Sequence, residues 1–254
     1  MTTDADLFTY TLRLGDDALV ASHRLAEWTT RAPELEEDVA LANLALDLLG
    51  QARTLLAYAG TVQARQPVRT EDDLAYLRDP SEFANCLLVE LPIGDFAFTI
   101  ARQLAFATYQ LALYECLQDS ADAMLAAVAG KAVKEVAYHR DHATQWTLRL
   151  GDGTEESHRR MQAGLVAVWP YVDELFTGDD VEARLAGVGV AVDLASLRPE
   201  WSAYVDGVLA EATLVRPPAG PPPGRGRNGH HTEHLVALLA EVQALHRAHP
   251  GATW

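Results

Sequence analysis

Apolar residues recur at close to helical spacing along nearly the whole chain, and this periodicity constrains the fold more than any other feature. Intervals of three, four and seven residues return a side chain to the same face of an α-helix. Pro33 and a run of acidic residues favour a helix start just before 34–59, and Gly60 is placed to end that helix. The apolar stripe of this segment includes Leu41, Leu44, Leu48 and Leu55.

The same periodicity predicts an all-α fold built from long helices. Segment 96–114 is apolar on nearly all sides, so it is expected to lie inside a bundle. The run 216–229 is rich in proline and glycine and predicts an extended loop. VGVAV at 188–192 is the only short strand candidate. The predicted helices cover residues 5–29, 34–59, 80–118, 121–150, 154–177, 197–214 and 231–248.

These elements predict one domain over residues 1–254, which is long enough to bury a sizeable core. A four-helix core is expected at about 5–150. The helices at about 154–248 are expected to be appended to that core, with the loop 216–229 among them.

The formal net charge of −16 narrows the classes of partner. An acidic surface repels phosphate backbones and anionic lipid, so neither nucleic acid nor a membrane is an expected partner. No run approaches the ~20 apolar residues of a membrane span, and the N-terminus has no signal-peptide pattern. Cys86 and Cys116 lie in apolar stretches and are predicted to be buried free thiols in the cytoplasm.

A search for metal-binding motifs returns one E-x-x-H pair, Glu155 with His158. Helical bundles that hold two irons use carboxylates together with two such pairs facing the interior. Because the pair follows GDGT at 151–154, it favours a helix start capped by Thr154 and a solvent-facing histidine.

A second metal candidate consists of Glu135, His139 and His142, whose spacings of four and three residues place them near one helix face. The apolar segment 96–114 contains no Asp or Glu to complete a site. Structural pairing is therefore the favoured interpretation, and a free-standing metalloprotein remains the alternative.

Two further polar groups have both a binding and a structural interpretation. In HHTEH at 230–234, His231 and His234 suit zinc only with a distant partner, and helix capping is favoured. The loop arginines suit an anionic group such as that of an acyl-CoA thioester, which makes an acyl-CoA-binding module another alternative. These arginines are Arg216, Arg225 and Arg227.

A polar stripe formed by Asn43, Asp47 and Gln51 runs along the otherwise apolar segment 34–59. Polar groups inside a bundle need hydrogen-bond partners. The favoured interpretation is a structural network with arginine or tyrosine side chains.

The chain resembles, essentially from end to end, the C-subunit family of phenylacetyl-CoA epoxidases, also called phenylacetate-CoA oxygenases. The resemblance implies a ferritin-like fold and a partnership with a related A subunit that holds a di-iron centre and binds the acyl-CoA. The proline-rich run 217–223 is the main expected departure. The segments that carry the resemblance are 10–53, ARQ at 101–103, KAVKEVAYH at 131–139 and HTEHL at 231–235.

The resemblance also extends to the A subunit through WTTRAP at 28–33, DLLGQ at 47–51 and KEVAYH at 134–139. It implies that most iron ligands of the A subunit are absent here. Three ligand carboxylates correspond to Ala18, Leu48 and Val136, and one ligand histidine corresponds to Gln51. The second ligand histidine is retained as His139.

The resemblance therefore implies a non-catalytic structural subunit with no cofactor of its own. Its expected partner is the A subunit, and alone it is expected to form a homodimer through the same apolar surface. The implied process is epoxidation of the CoA-activated ring in phenylacetate breakdown, with electrons from a separate reductase subunit.

Overall fold

The structure is a computed structural model that describes residues 4–63, 67–220 and 223–252. Within these ranges it contains α-helices and short 3-10 turns but no strand, which confirms the predicted all-α class. The strand candidate 188–192 forms an irregular turn instead. The α-helices are α1 (Asp4–Ala26), α2 (Leu35–Val62), α3 (Glu71–Tyr76), α4 (Leu87–Glu90), α5 (Phe96–Leu117), α6 (Ala123–Gly151), α7 (Glu155–Val168), α8 (Asp180–Ala186), α9 (Leu194–Glu211), α10 (Glu233–Val242) and α11 (Ala244–Ala248).

Four long helices form the core, in an arrangement consistent with a ferritin-like bundle. Helix α1 packs along α2, α5 packs along α6, and α2 also contacts α6. Every residue of α5 from Thr99 to Tyr114 is buried, because α7 and α9 cover the side of α5 that α6 leaves open. The indole nitrogen of Trp201 on α9 donates to the Ala105 carbonyl at 2.9 Å. The prediction that 96–114 lies inside the bundle is confirmed.

The predicted continuous helix 80–118 is wrong over its first part, since the long helix starts only at Phe96. Pro92 has no N–H and disfavours helical backbone in the residue before it. Gly94 adopts a left-handed conformation with φ of 59°. Asp95 then caps α5 by accepting a hydrogen bond from the Phe98 N–H at 2.9 Å.

Other predicted boundaries also shift. The short helices α3 and α8 were not predicted, because each is too short to show a repeated apolar stripe. The predicted helix 154–177 becomes α7 followed by two 3-10 turns around Pro170, and 231–248 is divided between α10 and α11. In the loop 216–229, residues 221–222 lie outside the described ranges, and the rest is irregular apart from the 3-10 turn Gly226–Asn228.

Gly60 does not end α2, which continues to Val62. A Cβ on Gly60 would lie 2.0 Å from the Arg69 carbonyl oxygen. A glycine is therefore required because the chain beyond α2 returns directly across this position.

The two cysteines differ in environment. Cys86 is a buried free thiol as predicted, and burial raises the pKa of that thiol well above its ordinary value. Cys116 is also free but exposed, so the prediction of burial was wrong for it. It lies in the last turn of α5, where the helix leaves the bundle interior.

Helix α2 is long and apolar enough to cross a membrane by length and composition alone, since an apolar window of 18 residues within it has a mean hydropathy of 1.2. The expectation that no run approaches such a span was wrong in this respect. Core helices of bundles pass the same test, and α2 packs along α1. Only 44% of the apolar window is buried, so α2 also presents apolar side chains outward.

A buried charge cluster, formed by Asp16, Asp17, Arg78 and Arg227, joins α1 to two irregular segments. Arg78 donates to both carboxylate oxygens of Asp16, and Arg227 donates to Asp17 at 2.6 Å. The remaining oxygen lone pairs accept backbone N–H groups from Ala84, at 2.8 Å, and Cys86, at 2.7 Å. Because these segments lack helical hydrogen bonds, the two carboxylates replace them.

The loop that carries Arg227 is held by further contacts. Glu174 accepts the backbone N–H groups of Leu87 and Arg227, at 2.7 and 3.3 Å. A Cβ on Gly226 would lie 2.2 Å from the Asn85 carbonyl oxygen, so glycine permits the close approach of the two segments.

His231 forms a buried contact between the loop and α4. Its Nδ1 lies 2.7 Å from a carboxylate oxygen of Glu90, and its Nε2 lies 2.8 Å from the Phe83 carbonyl oxygen. Both partners are acceptors, so both ring nitrogens donate only when the imidazole is protonated. Burial alone would lower the pKa of His231, but the hydrogen bonds to Glu90 and Phe83 raise it on balance.

Because His231 is held in its protonated form, the free energy of unfolding is expected to depend on pH. A histidine with a raised folded-state pKa stabilises the fold below its unfolded pKa of about 6.5, and that contribution is lost as pH rises through the folded pKa. We expect the difference in unfolding free energy between the wild type and His231→Gln to narrow as pH rises above about 6.5, the unfolded value. Urea titrations at several pH values measure this difference, and a constant difference would contradict the protonated assignment.

Candidate functional site

The three residues that the resemblance matches to ligand carboxylates lie in the hydrophobic core. Ala18 on α1 and Val136 on α6 are 0% exposed, and Leu48 on α2 is 1% exposed. All three belong to one continuous cluster of buried apolar side chains. The helical periodicity places them inward, so each contributes hydrocarbon at a position facing the bundle interior.

Gln51 connects α2 to the two helices across from it. Its side-chain oxygen accepts from the Gln110 amide at 3.1 Å, and its nitrogen donates to Glu135 at 3.0 Å. Glu135 lies at the edge of the bundle, and its other oxygen is 4.0 Å from the Lys131 ammonium. The Gln51 amide therefore uses both its polar ends in contacts within the protein.

Gln110 is the residue of this site that sequence reasoning missed. It is buried on α5, in the segment that contains no carboxylate, and its nitrogen also lies 3.5 Å from the Tyr114 hydroxyl. An amide on a helix that is otherwise buried and apolar must find hydrogen-bond partners. That requirement was the available signal, and it did not reveal which helix would supply the partner.

Two histidines of α6 pair with carboxylates of α2. His139 Nε2 lies 3.1 Å from Asp47, and His142 Nε2 lies 2.8 Å from Glu37. Burial lowers the pKa of His139, although its contact with Asp47 opposes that shift. Glu135, His139 and His142 thus have separate partners, and they do not converge on one point.

The polar stripe on α2 is structural as predicted, but its partners are not arginine or tyrosine. Asp47 pairs with His139, and Gln51 pairs with Gln110 and Glu135. Asn43 is exposed and lies outside this network. The stripe runs from the exposed side of α2 at Asn43 to its buried side at Gln51, because each separation of four residues advances about 40° around the helix.

The other metal candidates lie far apart in the fold. Thr154 caps α7 as predicted, accepting from the Ser157 N–H at 3.1 Å. His158 is half-buried rather than solvent-facing, and its Nδ1 donates to the Gly151 carbonyl at 2.7 Å. Across the described part of the chain, no three His, Cys, Asp or Glu side chains are grouped so that they could hold a metal ion.

In HHTEH the capping residue is Thr232, which accepts from the His234 N–H at 3.3 Å. The capping prediction is thus confirmed for the segment, although a threonine rather than a histidine provides the cap. His231 is committed to Glu90 and Phe83.

The loop arginines each have a partner within the chain. Arg216 pairs with Asp206 at 2.7 Å, and Arg225 donates to the Thr177 carbonyl at 2.9 Å. Arg227 is buried against Asp17, so the suggestion that it contacts an external anionic group was wrong for this residue. Its charge is neutralised inside the fold.

A cavity of about 150 Å³ lies between α2 and α6 beside Gln51 and Glu135. Apolar side chains of Val128 and Ala132 form part of its wall, and Lys131 also lines it. Gln51 joins the helices through Glu135 and Gln110, while the Gln110 side-chain oxygen is buried without a hydrogen-bond partner. One neutral oxygen is not a set of ligands for a metal ion.

Comparison with known proteins places this geometry in a family. A family model described as "Phenylacetic acid catabolic protein" matches residues 1–254. The chain is also 47% identical over 248 residues to the C subunit of the 1,2-phenylacetyl-CoA epoxidase of Escherichia coli (strain K12). That alignment covers 98% of this chain and 99% of the relative, and it confirms the resemblance drawn from the sequence.

Proposed function

The chain belongs to the phenylacetic acid catabolic protein family, and on that basis we propose that it is the non-catalytic structural subunit of a 1,2-phenylacetyl-CoA epoxidase. In this role it binds the A subunit, which carries the di-iron centre, and supports the active site of that subunit. The observation that carries the proposal is the burial of Leu48 and Val136 in the core. The sequence resemblance matches these two positions to iron ligands of the A subunit.

The donors at these positions do not fit a di-iron centre. Such a centre uses about four carboxylates to balance the charge of the two cations. Ala18, Leu48 and Val136 offer only hydrocarbon, and the Gln51 amide is neutral. His139 is one imidazole and already pairs with Asp47. Glu135 points to the edge of the bundle, where Gln51 and Lys131 hold it.

The apolar side chains at these positions stabilise the fold. Burial of a leucine or valine side chain contributes about 1.5–3 kcal/mol. A catalytic bundle must instead bury several carboxylates, which are costly without a metal. Filling the same volume with hydrocarbon makes a rigid support for a subunit that carries the reactive centre.

The relative is named as a subunit, which supports an assembly with further subunits. An obligate contact with the A subunit would bury above about 2,000 Å² in total. We further propose that the chain, when alone, forms a homodimer through the same apolar surface. Its two unpaired cysteines support a location in the reducing cytoplasm.

The function is tested by measuring metal and assembly together. We expect the chain, purified from iron-rich medium, to contain no iron above background, and to co-elute with the A subunit in size exclusion. The A subunit measured in parallel is the positive control for iron. About two irons per chain would identify a free-standing metalloprotein instead and overturn the proposal.

Activity and ligand binding complete this test. We expect epoxidation of phenylacetyl-CoA by the A subunit, supplied with its reductase, to require the chain. The chain alone is expected to show no turnover. Calorimetric binding of phenylacetyl-CoA to the isolated chain would favour the acyl-CoA-binding module.

A further inference from the structure

The outward face of α2 carries a row of exposed apolar side chains that the bundle does not use. Leu35 is 76% exposed, Val39 54%, Leu46 63% and Leu49 39%, and half-buried Ala42 lies between them. Intervals of four, three, four and three residues match the a and d positions of a coiled coil. We call these five residues the α2 seam. Such spacing suits packing against another helix.

The centre of the seam carries only one charge, although the protein as a whole is strongly acidic. From Val39 to Leu49, the exposed positions are Val39, Asn43, Leu46 and Leu49. Asp47 is the one charged residue in this stretch; its side chain is 37% exposed and pairs with His139 at 3.1 Å. Monomers rarely leave a contiguous apolar patch of this kind uncovered. In a protein with a net charge of −16, a stretch with a single paired charge lowers the repulsion between two copies that meet there.

The two ends of the seam carry opposite charges. Exposed Glu34 and Glu36 lie at its N-terminal end. Arg53 and Lys131 lie at its C-terminal end, and the side chain of each is 76% exposed although each has one acidic neighbour. An antiparallel copy of the same surface would place the acidic end against the basic end twice.

We propose that the α2 seam pairs antiparallel with the α2 seam of a second copy of this chain, with Asn43 and Leu46 at the two-fold axis. In this register Glu36 faces Arg53 of the other copy, and Val39 faces Gly50. A Cβ on Gly50 would meet nothing within 4 Å, so the surface there is open to receive a larger side chain. A two-fold contact of this kind closes on itself and limits assembly to a dimer.

The α2 seam by itself covers less area than a standard interface, which buries about 800 Å² on each partner. Neighbouring surface extends it. A groove lined by Gly50, Arg53, Met124 and Lys131 lies on one side, with a volume of about 620 Å³. Exposed Tyr138 lies near the other half of the seam, because its ring is 6.4 Å from that of His142, which contacts Glu37 of α2.

This assignment rests on the proposed self-association of the chain and names its surface. A contact built around one helix pair is expected to be exchangeable, so a partner subunit with a more complementary face would displace the second copy.

The surface is tested by sedimentation velocity on the wild type, Leu46→Arg and Val166→Arg. Val166 lies on α7 and is 55% exposed, so it is a matched control away from the seam. We expect Leu46→Arg to raise the dimer Kd at least about tenfold, since two buried charges would meet at the axis. Val166→Arg is expected to dimerise as the wild type does. An unchanged Kd for Leu46→Arg would overturn the proposal.

The register is tested by disulfide formation in a Cys116→Ser background, which removes the exposed native thiol. Val39→Cys and Gly50→Cys are made in separate chains. Each position lies about 16 Å along the helix axis from its own copy in the proposed dimer, so neither variant alone is expected to cross-link. Their 1:1 mixture is expected to form a disulfide-linked dimer, and a mixture that stays unlinked would overturn this register.

One outcome separates this proposal from the proposed function. A monomeric wild type whose Leu46→Arg variant fails to co-elute with the catalytic subunit would overturn self-pairing. It would assign the α2 seam to the partner subunit and leave the structural role intact.

Discussion

Replacing Arg227 by methionine is expected to lower the free energy of unfolding by about 3–5 kcal/mol. The substitution leaves Asp17 buried without its cation, and removing one partner of a buried pair costs far more than the pair contributes. Burial already raises the pKa of Asp17, and Arg227 opposes that shift. The same change removes the guanidinium donors to the Arg13 and Ala84 carbonyls. Urea unfolding followed by circular dichroism gives the measurement.

Arg216→Met is the matched control, because Arg216 comes from the same irregular region but pairs with Asp206 at the surface. Exposed ion pairs contribute about 0–1 kcal/mol, so this variant is expected to stay close to the wild type. The double variant Asp17→Leu/Arg227→Met removes both charges and should recover part of the loss. Equal effects for Arg227→Met and Arg216→Met would show that burial of the Asp17–Arg227 pair is not decisive.

Replacing Leu48 by glutamate is expected to destabilise the chain by about 3–5 kcal/mol at neutral pH. The variant loses the burial of the leucine and places a polar carboxyl group in hydrocarbon. Added iron is not expected to restore stability, because one carboxylate and His139 cannot balance two cations. Thermal and urea unfolding with and without iron(II) under anaerobic conditions test this expectation.

The pH dependence of this variant has a defined direction. Burial raises the folded-state pKa of an introduced carboxyl group, so the group is neutral in the fold and charged in the unfolded chain. The destabilisation should therefore grow as pH rises above about 4.3, the unfolded value. Leu48→Met conserves volume and is expected to cost less than about 1.5 kcal/mol. A glutamate variant as stable as the methionine variant would mean that the position tolerates a ligand.

The long helices were predictable because each repeats its apolar stripe over many turns. The interior position of α5 was predictable for a different reason, since a segment apolar on all sides has no outward face to place against water. The irregular segment before α5 was harder to predict. Pro92 and Gly94 were visible in the sequence, yet apolar residues continue across them and suggest one unbroken helix.

The residues around Gln51 were predictable in part, because helical spacing also decides which side chains face the bundle interior. The resemblance located Leu48, Gln51, Val136 and His139, and helical spacing placed them on inward faces. It did not identify Gln110 as the partner of Gln51, because the two residues are 59 positions apart in the chain. Contacts of that kind depend on the relative rotation of helices, which periodicity does not specify.

By itself, the sequence determined the class of fold, the interior position of α5 and the apolar side chains of Ala18, Leu48 and Val136. These follow from side-chain chemistry and from local spacing along single helices. Only the tertiary structure decided that Arg227 neutralises Asp17, that Glu37 and Asp47 pair with histidines of α6, and that the α2 seam is exposed. Each of these depends on which distant segments meet, and that outcome is set by packing of the whole bundle rather than by any one stretch of residues.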